Sequence, residues 1–67
     1  MIAVEINGTP VRVEPGTSLH ALIEQQAGTT RGCAVVVDGT VVPRSQWPTY
    51  EVPDDVHIEL IKAVQGG

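Results

Sequence analysis

The chain has no phenylalanine, one tryptophan and one tyrosine. Its core must therefore be built from valine, isoleucine, leucine and alanine. A single cysteine, Cys33, excludes an intramolecular disulfide and a cysteine-based zinc site. Basic residues are also scarce: Arg12, Arg31, Arg44 and Lys62 stand against eight acids, for a net charge of −4. They form no basic stripe, which argues against a nucleic-acid partner and for a basic or neutral protein surface. No apolar run approaches the roughly 20 residues that span a bilayer. The opening MIAVEING lacks the basic and long apolar regions of a secretion signal. The expectation is a cytoplasmic protein with no membrane contact. At 67 residues there is room for one domain that buries about 60% of its unfolded surface, and little room for an interior catalytic pocket.

What is present is patterned. Ile2, Val4 and Ile6 alternate with Ala3 and Glu5, the period-two signature of a half-buried strand. Asn7-Gly8 is a tight-turn pair, and Val11 and Val13 alternate with Arg12 and Glu14 on a return strand. After Pro15-Gly16, Thr17 or Ser18 can cap a helix. That helix carries Leu19, Leu22, Ile23 and Gln26 on one stripe, and Gly28 stops it. A helix of about ten residues does not persist alone, so it must lie on a sheet.

Residues 29–32 read as a polar loop, and Cys33–Val37 as a strand covered on much of both faces. Asp38-Gly39 turns the chain into a short strand, Thr40–Val42, which Pro43 ends. A helical turn at Arg44–Trp47 and a brief strand near Tyr50–Val52 precede the turn Pro53-Asp54-Asp55. The last strand, Val56–Ile61, puts Val56, Ile58 and Leu60 on one face and His57, Glu59, Ile61 and Ala63 on the other. The succession is that of an α+β domain: a β-grasp (ubiquitin-like) fold, with a mixed sheet and one main helix packed on one face. Residues 1–63 form the domain, and residues 64–67 form a tail expected to be mobile when free and ordered when bound.

The residue types that do chemistry do not converge. The glycines at 8, 16 and 39 sit in turns, without the lysine and hydroxyl residue of a phosphate loop. His20 and His57 lie far apart, on the helix and the last strand. His20 reads as an exposed or boundary helix residue and His57 as a solvated strand residue. Asp54-Asp55 after a proline reads as a turn former. Cys33 in an apolar strand reads as a small core residue. No catalytic or metal-binding set emerges, and no bound cofactor is expected.

The terminus stands apart. With glycine at about 7% of an average protein, Gly66 and Gly67 arise together at the last two positions in about 0.5% of chains by chance. Two residues without side chains make a thin thread that can carry an α-carboxylate into a narrow site on another protein. That carboxylate, with an ordinary pKa of about 3.5, is ionised at neutral pH and a poor electrophile. Adenylation by ATP makes it a good one, and a sulfur donor replacing AMP leaves a thiocarboxylate. Gly67 is then the modified residue, while Gly66, Gln65 and Val64 thread into partner sites. Ile61, Glu59 and Ala63, on the sheet face away from the helix, form the candidate docking face.

From INGTPVRVEPGTSLHALIEQ through GCAVVVDGTVVPRSQWPTYEV to VPDDVHIELIKAVQGG, the chain resembles the ThiS family of sulfur carriers in thiamin biosynthesis. The most specific pieces are Val42-Pro43-Arg44-Ser45-Gln46-Trp47 and the terminal Gly66-Gly67. The resemblance implies a carrier acted on by enzymes rather than an enzyme itself. An E1-like, ThiF-type enzyme adenylates Gly67 with Mg-ATP, and a cysteine desulfurase or other donor supplies sulfur. The thiocarboxylate then passes its sulfur to thiazole synthase, ThiG-type. Cys33 departs from the simple aliphatic residue expected there. Trp47 is assigned to covering the edge of the core, and Arg44 to tying its loop down. Three alternatives stay open at this point. One is the small subunit of molybdopterin synthase or another thiocarboxylate carrier; the others are a β-grasp binding module with an inert tail and a ubiquitin-type modifier.

Overall fold

Alternation and turn chemistry give the first hairpin its register. The structure, a computed structural model, describes residues 1–62. β1 (Ile2–Ile6) and β2 (Thr9–Val13) pair antiparallel, with Ile2 opposite Val13 and Ile6 opposite Thr9. Asn7 takes φ 51° and Gly8 φ 83°, the positive dihedrals that a two-residue hairpin demands. Val4, Ile6 and Val13 are buried on one face of the pair.

The helix α1 (Leu19–Ala27) starts at Ser18, whose Oγ accepts a hydrogen bond from the Ala21 N–H at 3.1 Å. It ends at Gly28, in the left-handed conformation with φ 77°. Leu19, Leu22 and Ile23 are fully buried, so the apolar stripe lies flat on the sheet. Ser18→Ala removes an N-cap and is expected to lower stability by about 1 kcal/mol, readable as a reduced urea midpoint with an unchanged slope.

β3 (Cys33–Val37) and β4 (Thr40–Val41) form the second hairpin, and β5 (His57–Lys62) runs between the two hairpins. The sheet order is β2-β1-β5-β3-β4. β5 is parallel to β1 and antiparallel to β3. First and last strands thus lie side by side at the sheet centre with the helix on one face, the β-grasp arrangement that the pattern predicts.

Several details differ from the sequence-based expectations. β3 is covered on one face only: Val35 and Val37 are buried, Val36 is half-buried and Ala34 exposed. Its continuous apolar run therefore does not mean burial on both sides. Near residue 51 there is a single bridge between Ser18 and Glu51 rather than a strand. The helical turn extends into a 3₁₀ helix, Arg44–Thr49. The last strand begins one residue later than expected and ends at Lys62, one residue beyond the expected end. Ala63 and the tail 64–67, including the expected change in tail order, lie outside the described residues.

Trp47 is fully buried rather than partly exposed at the edge of the core. It is 1% exposed, and its Nε1–H donates to the Val42 carbonyl at 3.0 Å. With no phenylalanine available, the indole is the largest fully buried side chain of a core that also holds Val42 and Val52. Arg44 does secure its segment: its guanidinium donates to Thr30 Oγ1 at 3.3 Å and lies 6.0 Å from the centre of the Trp47 ring. Cys33 is half-buried at the rim of the core, with Sγ 3.7 Å from the Thr29 carbonyl and 3.6 Å from that of Arg31. It sits at the first position of β3.

Candidate functional site

The sheet face away from α1 holds the side chains that the burial of Val4, Ile6, Val35, Val37 and Ile58 leaves pointing outward. Ile61 is among them, 54% exposed, as the parity of β5 predicts. Its surroundings follow from the strand register. Ala34 lies opposite Ile61, and Val36 opposite Glu59 on β5 and Val41 on β4. Directly opposed residues share a face at about 5 Å. Ala34, Val36, Val41 and Ile61 therefore form one apolar patch, and Val41 is 67% exposed.

The β1 side of the same face is polar. Glu5 lies opposite His57, and the His57 Nδ1 is 3.5 Å from a Glu5 carboxylate oxygen, an ion pair when the imidazole is protonated. Glu59 stands exposed between this pair and the apolar patch. The face is thus divided into an apolar half on β3, β4 and the end of β5, and an acidic half on β1 and the start of β5. Of the predicted docking residues, Ile61 and Glu59 are on it, and Ala63 lies outside the described residues. Ala34, Val36 and Val41 were missing from the sequence reading. The parity of each strand is legible in the sequence, but which outward residues become neighbours depends on a register between segments about 25 residues apart.

The other chemical candidates remain separate. His20 is on α1, with its Nε2 3.9 Å from Glu24 Oε1. The Asp54 carboxylate accepts from the Ala3 N–H at 2.9 Å, and the Asp55 N–H donates to the Ala3 carbonyl at 2.8 Å. This pair pins the turn before β5 to β1, a structural duty in line with the turn reading. Among the described residues no group of three His, Cys, Asp or Glu side chains could hold a metal ion. None of the described helices is long and apolar enough to cross a membrane.

The strand leading to the tail is anchored on both sides. Asp38, at φ 48° in the β3–β4 turn, accepts from the His57 N–H through Oδ1 at 2.9 Å. Asn7, in the β1–β2 turn, accepts from the Leu60 N–H through Oδ1 at 2.9 Å and donates from Nδ2 to the Leu60 carbonyl at 3.1 Å. Residues 66 and 67, the predicted reactive pair, and residues 64 and 65 before them lie outside the described residues.

A β-grasp domain with an open, partly apolar sheet face and a last strand running toward a diglycine is the class that fold and face define. The ThiS family model matches residues 2–67, and the chain belongs to that family. It is 31% identical over 61 residues to the sulfur carrier protein ThiS of Escherichia coli K12, a match covering 91% of this chain and 92% of that protein. The fold is also that of the thiamine biosynthesis protein ThiS from Geobacter metallireducens. The crystal structure of that protein superimposes with a TM-score of 0.80 at 20% identity, covering 98% of this chain and 100% of the other. Its solution structure gives a TM-score of 0.75 with 98% and 88% covered.

Proposed function

We propose that this protein is a sulfur carrier for thiamin biosynthesis, a co-substrate of partner enzymes whose reactive group is the Gly67 carboxylate. The observation that carries the reading is the family match, which runs through Gly67. A carboxylate oxygen attacks the α-phosphorus of ATP, held with Mg by an E1-like, ThiF-type enzyme, and pyrophosphate leaves. The terminal sulfur of a persulfide, formed on a cysteine desulfurase or another donor, attacks the acyl carbon and displaces AMP. A thiol such as cysteine then attacks the donor-side sulfur of the acyl disulfide, leaving the thiocarboxylate on the carrier and a disulfide between donor and thiol. The thiocarboxylate that remains delivers its sulfur to a ThiG-type thiazole synthase. Gly66, Gln65 and Val64 pass through the narrow approach to each active site. No side chain of the carrier is required in these steps, and their use of ATP suits a cytoplasmic location.

The divided sheet face is the docking surface for the adenylating enzyme in this reading. Its apolar half is continuous with the strand that leads to the tail, so docking there directs residue 67 toward one place on the partner. The acidic half, with Glu5 and Glu59, and the net charge of −4 favour a partner surface that is apolar at its centre and basic at its rim. Ile61→Lys keeps a long side chain beside Glu59 but puts an ammonium into the apolar contact. It is expected to raise KM for the carrier roughly tenfold, equal to about 1.4 kcal/mol, with the melting temperature little changed.

The test is intact mass after incubation with the adenylating enzyme, Mg-ATP, a cysteine desulfurase and cysteine. Replacement of one oxygen by sulfur is expected. An unchanged mass, with the same enzymes active on another carrier, would overturn the reading.

A further inference from the structure

In a parallel ladder, each strand receives hydrogen bonds from alternate residues of its neighbour. On the β1 side of β5, the Glu5 N–H donates to the Val56 carbonyl at 3.0 Å and the Asn7 N–H to the Ile58 carbonyl at 2.9 Å. The next rung belongs to Leu60. No residue of β1 is left to make it, because strand pairing ends at Ile6 opposite Ile58 and the chain turns at Asn7. The Asn7 side-chain amide takes the rung instead, accepting from the Leu60 N–H and donating to the Leu60 carbonyl. The amide group stands in for a peptide unit, offering one acceptor and one donor to the same residue.

From this substitution we infer that Asn7 is a positioning residue for the reaction at Gly67, an inference that rests on the carrier function proposed above. Past Ile58, β5 overhangs β1 and is otherwise held by β3 alone, with Leu60 opposite Val35 and Lys62 opposite Cys33. Among the described residues, Asn7 provides the last backbone bonds on the β1 side. A strand held on one side twists and frays about that ladder. A strand bonded on both sides at Leu60 leaves the sheet in one direction. Leu60 is seven residues from Gly67, so the direction of β5 there sets where the tail starts toward the partner's site in the docked carrier. Misplacement on the scale of about 1 Å is enough to lower a rate substantially when attack must be in line. Asn7 acts through the strand and touches no reacting atom.

The turn and the clamp can be separated by mutation. Asn7→Gly keeps the positive φ of the turn and removes the amide. Asn7→Asp keeps size and turn tendency but replaces the donor to the Leu60 carbonyl with an acceptor. Both variants are expected to lower kcat for thiocarboxylate formation about five- to tenfold, with KM for the carrier within about twofold of wild type because the docking face is untouched. Amide exchange should quicken at Leu60 in both, while Glu59 and Ile61, bonded toward β3, keep their protection. Ile23→Val, a core change remote from the clamp, controls for lowered stability and should leave kcat unchanged. Wild-type kcat in both Asn7 variants, or a rise in KM at constant kcat, would overturn the inference and leave the carrier function standing. A wild-type chain that is never converted would remove the carrier function itself, and the inference with it.

Discussion

Removal of Gly67 is expected to abolish thiocarboxylate formation while leaving the carrier able to dock. The truncated chain would end at Gly66, and its carboxylate would fall one residue short, about 3.3–3.6 Å along an extended backbone. Attack on phosphorus requires the reacting atoms to approach within about 3–3.5 Å in line, and losses of about a hundredfold follow misplacements far smaller than one residue. The apolar patch of Ala34, Val36, Val41 and Ile61 and the acidic residues beside it are untouched by the truncation. The truncated chain should therefore compete with the full-length carrier, with an inhibition constant close to the carrier's KM. Two readouts settle this: pyrophosphate release for the first step and intact mass for the product. Conversion of the truncated chain at the full-length rate would sink the assignment of Gly67 as the reacting residue.

Trp47→Ala is expected to remove a large share of the stability of the fold. Large-to-small changes of a buried tryptophan cost about 3–5 kcal/mol, through lost transfer free energy and the cavity left behind. A domain of this length has a total stability of about 3–10 kcal/mol. The chain has no phenylalanine, and its only other aromatic is Tyr50, half-buried against the same core. Trp47→Phe separates the contributions: it keeps most of the ring but leaves the Val42 carbonyl without its Nε1–H donor, at about 1–3 kcal/mol. Urea titrations followed by far-ultraviolet circular dichroism should order the chains as wild type, Trp47→Phe and Trp47→Ala. A Trp47→Ala midpoint within error of wild type would contradict the place given to the indole in the core. The arginine beside it matters less, because its contact with Thr30 and the ring is exposed.

How much of this was legible in the chain differs from element to element. The first hairpin, the helix and the helix cap follow from local signals that act within four residues: alternation, Asn7-Gly8, Ser18 and Gly28. The Cys33–Val37 run misled because β-branched residues favour a strand whether its second face is covered or not. The helical turn at Arg44–Trp47 was legible, but its extension to Thr49 and the depth of Trp47 depend on what packs above them, which no local pattern states. Of the docking candidates, Ile61 and Glu59 face outward as strand parity predicts, and Ala63 lies outside the described residues. Ile61 could be placed outward from the parity of its own strand, but Val36 and Val41 join it only through pairing across the sheet.

The sequence by itself determined most of the elements, the inward and outward sides of most strands and the diglycine that the proposed chemistry uses. Those properties are written in periods of 2 and 3.6 residues and in turn residues, so neighbours along the chain suffice to specify them. Only the tertiary structure decided which outward residues meet to make a face, that Trp47 is fully buried, and that Asn7 reaches 53 residues along the chain to hold Leu60. These are contacts between distant segments, fixed when β5 inserts between β1 and β3. The hydrophobic burial that drives the insertion is non-directional. It selects a register as a whole and leaves no mark on any one residue that could be read beforehand.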